Sequence, residues 1–361
     1  VIPIENKLVE EKATIVSNFQ LNFGETHEKL FQLEKGHYSG ELEIGALFDK
    51  FTIDQRNLCE MIYGYEKKNP SVYAAYQNIH SGLEENKWLS KIIAGCWNFY
   101  SMNDIGVEND FLLVKELYSE ESLDCYSVGF MQPYIMHGIL GCKRLFFLDI
   151  DWKIIESHFW LFRDFATGVN DNGIDWARYK ETINWDIGLD MVPRKMKENL
   201  GYETVCGNYQ SLMCRKAMDR MIAKKSELEE VRFNLGFLHE GKYDFQPGRV
   251  TVVYTSNALD PGYTSRKEFK KFLKLLGKAM EEDNKMVMIY HAGGRRAFGV
   301  YEITREENYL KVFAVCRDNY TYGSVYKNAG ESYSIYLDDY TKSQKNIPEC
   351  RSVLRKKKPV W

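Results

Sequence analysis

The 361-residue sequence has no surplus of positive charge, with 48 Lys plus Arg against 51 Asp plus Glu. Proteins that neutralise nucleic-acid phosphates carry a basic excess or a basic stripe, so a polynucleotide partner is not expected. No apolar run reaches the length needed to span a bilayer. GxSxG, GxGxxG and a complete GxxxxGK[ST] are all missing, which argues against a hydrolase elbow, a dinucleotide fingerprint and a P-loop. No spacing of His, Cys and Asp suggests a metal centre. The eight cysteines (59, 96, 125, 142, 206, 214, 316 and 350) include no CxxC pair. Four of them fall in or beside expected strands, so buried free thiols and a reducing, cytoplasmic setting are expected. The chain starts at Val1 without Met, which leaves room for a removed leader.

Aromatic residues make up 14% of the chain, 24 of them Tyr, which suits a folded protein and argues against disorder. The length fits one large α/β domain with an extra helical piece. The most organised stretch runs from Leu123 to Phe162. DCYSV is a strand, Gly129 a turn, and Pro133 opens a helix that Gly141 closes. RLFFL is a second strand, buried on both faces, ending at Asp149-Ile150-Asp151, and IIESHFWLF resumes a helical pattern. This is a βαβ unit with an acid at the carboxyl end of its second strand, where ligands bind in such sheets.

Residues 1–120 are expected to form a helical cap, with a capping box at Thr52–Gln55 and a Pro-initiated helix after Asn69. WLSKIIAGCWNFY, the loop MNDIGVEND and a short helix FLLVKELYS complete it. Residues 121–361 form the main domain, interrupted by an insertion over 163–200 that is rich in Gly, Asn and Asp. YETVCGN (202–208) is expected as the third strand, followed by the helix SLMCRKAMDRMI. KKSELEEVR is expected as a solvated helix face. RVTVVYTSN, with its β-branched interior, is the fourth strand and KMVMIYHAGG the fifth, with an amphipathic helix at 266–280 between them. FGVYEIT, YLKVFAVC and SYSIYLDD follow without helices, so an antiparallel end to the sheet is expected.

Alternating β and α segments with an antiparallel end resemble the Rossmann-like class I S-adenosylmethionine-dependent transferases, over about residues 120–320. YSVGF resembles the family's first motif, which implies that Tyr126 and Gly129 border the amino-acid end of the cofactor. Asp149 stands where the family holds the ribose hydroxyls, and adjacent hydroxyls do suit a bidentate carboxylate. Asp151 is assigned to the cofactor as well as to capping the next helix. Gly207-Asn208 resembles the third-strand motif that meets the adenine amine, with Asn for the usual Asp. Tyr254-Thr255-Ser256-Asn257 resembles the end of the fourth strand. Thr255 there implies cofactor contact, and Ser256, Asn257 and Asp260 imply positioning of the acceptor. Asp260-Pro261-Gly262-Tyr263 is similar to the Asp-Pro-Pro-Tyr of amino-methylating enzymes.

The resemblance implies S-adenosylmethionine as cofactor, a small-molecule acceptor and in-line displacement at a carbon on a positive sulfur. Such a reaction gains mainly from alignment, worth roughly 7–11 kcal/mol at best, and requires no nucleophilic triad. Only Gly129 remains of a first motif that normally has two or three Gly, and Phe130 and Met131 follow it. A Gly-poor first motif beside a fourth-strand Ser-Asn also resembles a branch that transfers aminocarboxypropyl groups. A non-catalytic scaffold on the same fold is the remaining alternative, favoured if Phe130 or Met131 blocks the pocket. His291, after the fifth strand, has the chemistry of a base, although a structural role is the commoner one. His137 and His158 lie in helices and are expected to be packed. Neither oligomeric state nor acceptor identity is readable.

Overall fold

The computed structural model describes residues 19–23, 102, 104, 106–150, 152–176, 201–206, 211–259, 264–291, 297–319 and 336–350. In chain order its strands are β1 (Phe19–Phe23), β2 (Ser122–Val128), β3 (Arg144–Asp149), β4 (Glu230–Leu235), β5 (Arg249–Ser256), β6 (Lys285–His291), β7 (Ala297–Glu306) and β8 (Tyr309–Asn319). Its helices are α1 (Val107–Leu117), α2 (Gln132–Leu140), α3 (Trp152–Ala166), α4 (Tyr202–Cys206), α5 (Ser211–Lys224), α6 (Arg266–Ala279) and α7 (Asp338–Thr341). The strands form one sheet in the order β1-β4-β3-β2-β5-β6-β7-β8. It is parallel from β1 through β6 and antiparallel across β7 and β8. The chain is therefore an α/β protein with a mixed, mostly parallel sheet.

Strand periodicity divides the apolar residues between two cores. Leu145 and Phe147 of β3, Val250 and Val252 of β5 and Val287 and Ile289 of β6 join α1, α2, α3 and α5 on one face. Phe146 and Leu148, Val253, and Met286 and Met288 join Phe269, Phe272 and Leu276 of α6 on the other. Ser265 starts α6 by accepting from the Glu268 backbone N–H, while the Glu268 carboxylate accepts from the Ser265 N–H. This reciprocal cap satisfies two donors that a helix start otherwise leaves open. Gly138 lets α2 lie against α5, because a Cβ there would meet the Ala217 carbonyl oxygen. The central βαβ unit matches the sequence closely: Pro133 sits in the first turn of α2 and Gly141 caps it in the left-handed region at φ 72°.

Other expectations fail for identifiable reasons. Residues 202–206 are helix α4, not a strand. β-branched Thr204 and Val205 suggest a strand, but the apolar residues fall at 202, 205 and 206, the spacing of a helix face, and Val205 and Cys206 are both buried. The third parallel strand is β4, which begins in the last residues of the segment expected as a solvated helix and runs beyond it. Its charges mislead because they sit at the amino end of the sheet, where Arg232 bonds Glu230 at 2.6 Å. The cap expected over 1–120 contains β1, which extends the sheet beside β4, and α1, which matches the expected short helix. The capping box at Thr52 and the helices expected from Asn69 to Tyr100 lie outside the described residues. The insertion expected from residue 163 begins later, since α3 continues to Ala166. Asp338 and Asp339 belong to α7, not to a last strand.

The free thiols are also overturned. Cys125 pairs with Cys142, Cys206 with Cys214 and Cys316 with Cys350, so every described cysteine is bonded. The first bridge ties β2 to the residues entering β3 across α2, with Cα atoms 5.8 Å apart and the partners 17 positions apart in sequence. Replacing both by alanine should lower the unfolding free energy by about 3 kcal/mol, as expected for a cross-link of this span. Urea denaturation measures it, and a midpoint that stays put would show that the two thiols are not joined in the protein. No described helix is long and apolar enough to cross a membrane.

Candidate functional site

The chain leaves β2 toward β3 on one side and leaves β5 toward β6 on the other, so the switch point of the sheet, where ligands bind in such folds, falls at the carboxyl ends of β2 and β5. Gly129 follows β2 with φ at 88°, a conformation that side chains resist. Both faces of its turn are held. The Gly129 N–H donates to Asp149 Oδ2 at 3.2 Å, and its carbonyl lies 3.2 Å from His158 Nε2. His158 Nδ1 in turn lies 2.7 Å from the Tyr134 hydroxyl. Burial drives the His158 imidazole down to about 3, with the Gly129 carbonyl opposing weakly, so the ring is neutral near pH 7. A neutral ring with Nε2–H on the carbonyl and Nδ1 accepting from Tyr134 satisfies both contacts.

Asp104, just ahead of α1, is fully buried at the same end of the sheet. Its Oδ2 accepts from Gln132 Nε2 at 3.1 Å, Tyr254 Oη at 2.8 Å and Ser256 Oγ at 2.8 Å. Its Oδ1 lies 3.1 Å from His291 Nδ1, and Asp110 Oδ2 lies 3.6 Å from the other ring nitrogen. Burial pushes the Asp104 carboxyl up, but His291, Gln132 and Ser256 together bring it below its ordinary value. One carboxylate thus gathers the start of α2, the end of β5 and the end of β6. Ser256 sits there at φ 47°, left-handed backbone for a residue with a Cβ. Strain of this kind persists only where surrounding contacts enforce it, and it concentrates at functional sites.

The sequence-predicted residues divide by position. Gly129, Asp149, Ser256 and Asn257 lie at or just after the carboxyl ends of β2, β3 and β5, Gly129 bonded to Asp149 and Ser256 beside Asn257. Tyr126 is turned away: its hydroxyl accepts from the Asp244 N–H at 2.9 Å, toward the amino end, and its ring stacks on Phe146 at 4.2 Å. Thr255 is buried, and its hydroxyl donates to the Ile289 carbonyl at 3.2 Å, joining β5 to β6. Gly207 and Asn208 lie outside the described residues, and the element before them is helix α4, so the third-strand motif expected there does not follow the third strand. Asp151 and Asp260 lie outside the described residues as well. Phe130 and Met131 are packed into the core, with Phe130 edge-on to Trp176 at 6.3 Å.

Asp104, Gln132 and Tyr254 were not singled out for a role. Gln132, three residues beyond the glycine turn, was the detectable one, since a side chain at a helix start faces what the turn holds. Asp104 had no such signal, because only the fold brings its loop to β5 and β6. Gly236 to Lys242 spells GxxxxGK, yet Tyr243 replaces the Ser/Thr and a 3₁₀ turn (Leu238–Glu240) follows β4 where a P-loop has a helix. No group of described His, Cys, Asp and Glu residues is arranged to hold a metal ion. The sequence matches no family model and no curated protein.

Proposed function

We propose that the chain is an S-adenosylmethionine-dependent transferase acting on a small-molecule acceptor. The observation that carries this reading is the bond from the Gly129 N–H to the Asp149 carboxylate. It joins a left-handed glycine turn after one strand to an acid at the end of its parallel neighbour, beside the switch point of the sheet. A cofactor with an amino-acid arm and a ribose would lie along that pair, its ribose hydroxyls on Asp149 and its arm toward Gly129. Asn234, in the true third strand, replaces Asn208 as the candidate neighbour of the adenine; its Nδ2 donates to the Phe147 carbonyl at 3.1 Å. Ser256 and Asn257 position the acceptor, methyl transfer being the simplest group transfer of this kind. Phe130 and Met131 pack into the core, which supports the enzyme reading over a scaffold whose pocket they would block. The paired cysteines favour an oxidising compartment over the cytoplasm.

Calorimetric titration with S-adenosylmethionine and S-adenosylhomocysteine tests the reading. Saturable binding is expected in the wild type, with at least a tenfold loss in Asp149→Ala, since a charged hydrogen bond is worth roughly 1.5–3 kcal/mol. No binding at millimolar ligand would sink it.

A further inference from the structure

The Asp104 contacts fix more than packing. A carboxylate only accepts hydrogen bonds, so each group on Oδ2 must point a proton at it. For Gln132 this settles the amide orientation: Nε2 faces Asp104 at 3.1 Å, because the flipped amide would set oxygen against oxygen. Gln132 Oε1 is then turned the other way. It is buried, with the residue only 5% exposed, and has no hydrogen-bond partner among the described residues. It lies in the notch over Gly129, where a Cβ on that residue would collide with it. An acceptor left unpaired in a buried place costs about 1–3 kcal/mol, so a group that supplies a donor there binds with that advantage.

Ser256 is constrained in the same way. Its hydroxyl has one proton, which goes to the charged Asp104 Oδ2 at 2.8 Å in preference to the neutral Asn257 Oδ1 at 3.4 Å. The oxygen can then offer only lone pairs to anything bound beside it.

We infer that Asp104 is a positioning residue that makes this end of the cleft accept hydrogen bonds only. It selects ligands that present an ammonium, amine or hydroxyl to Gln132 Oε1 and Ser256 Oγ. This rests on the transferase reading, where the donor near Gln132 is the ammonium of the cofactor's amino-acid arm. The donor near Ser256 is the O–H or N–H of an acceptor that loses a proton when alkylated. An acceptor without such a proton, a thioether or a halide, is disfavoured.

Three ligands separate these contacts without the acceptor being known. S-adenosylhomocysteine has the amino-acid arm, 5′-methylthioadenosine lacks it, and sinefungin adds an amine where the transferred methyl would be. Ser256→Ala should weaken sinefungin about tenfold and leave S-adenosylhomocysteine unchanged. Gln132→Leu should weaken both by about tenfold and spare 5′-methylthioadenosine. Asp104→Asn should show both selective losses, and the two other variants decide the matter if that one does not fold. Equal losses for all three ligands, or none, would overturn the inference while leaving the transferase reading intact. A wild type that binds none of the three overturns the reading, and the inference with it.

Discussion

Lowering the pH from 7 to 4 should withdraw about 6 kcal/mol of folding free energy through two imidazoles, about 3 kcal/mol from each. Burial drives His137 down to about 4 and His158 to about 3, from ordinary values near 6.5. Above pH 6.5 both rings are neutral whether the chain is folded or not, so they contribute nothing to the pH dependence. Below it the unfolded chain takes up protons that the folded chain refuses, and stability falls until the folded rings titrate in turn. Domains of this kind are held by only about 5–15 kcal/mol, so acid unfolding near pH 4 is expected. Chemical denaturation at half-unit steps measures it. His137→Leu should flatten the acid limb by about 3 kcal/mol without touching the Gly129 turn. A wild type equally stable at pH 7 and pH 4 would show that these rings are reached by water in the folded protein.

His158 shows how structure and site are joined. The ring that makes the fold acid-sensitive is also the one that holds the Gly129 carbonyl. Protonating it would force Nδ1 to donate, and the Tyr134 hydroxyl would have to turn its own proton elsewhere.

How much of this the sequence disclosed depended on where each signal came from. The βαβ unit was legible because its cues are local: a proline in the first turn of α2, a left-handed glycine after it and an unbroken apolar run in β3. β4 was not, because its Glu230 answers to Arg144 on neighbouring β3 and to Arg232 two residues on, pairings that a helical pattern along the chain does not reveal. α4 was misread because five residues are too few to distinguish a period of 2 from one of 3.6. The disulfides were invisible because no local spacing encodes them; Cys316 meets Cys350 only after β8 and the C-terminal segment are packed together. Within the site, Gly129, Asp149 and Ser256 were found because strand ends can be located from a sequence. Asp104, which ties the start of α2 to the ends of β5 and β6, is 152 residues from Ser256 and could not be.

Arg144→Ala should destabilise the fold by about 3–5 kcal/mol, the range for stripping one partner from a buried ion pair. Arg144 opens β3 at the amino end of the sheet, opposite the cleft. Its guanidinium bonds Asp124 at 2.6 Å and the Asp244 carboxylate at 2.7 Å, and lies 5.0 Å from the centre of the Phe146 ring. Burial works against its charge, but Asp124 and Asp244 hold it protonated more strongly than in water. Asp124 has no exposed surface, so removing Arg144 leaves a buried carboxylate with Arg249, at 3.2 Å on β5, as its remaining cationic partner among the described residues. Replacing both partners at once, Asp124→Leu with Arg144→Met, should recover much of the loss, because the desolvation of two charges disappears with them. A loss under about 1 kcal/mol for Arg144→Ala would mean that Arg249 alone can neutralise Asp124. Because the ion cluster and the Gly129 turn lie at opposite ends of the same strands, the destabilised variant should still bind S-adenosylhomocysteine with wild-type affinity well below its melting temperature.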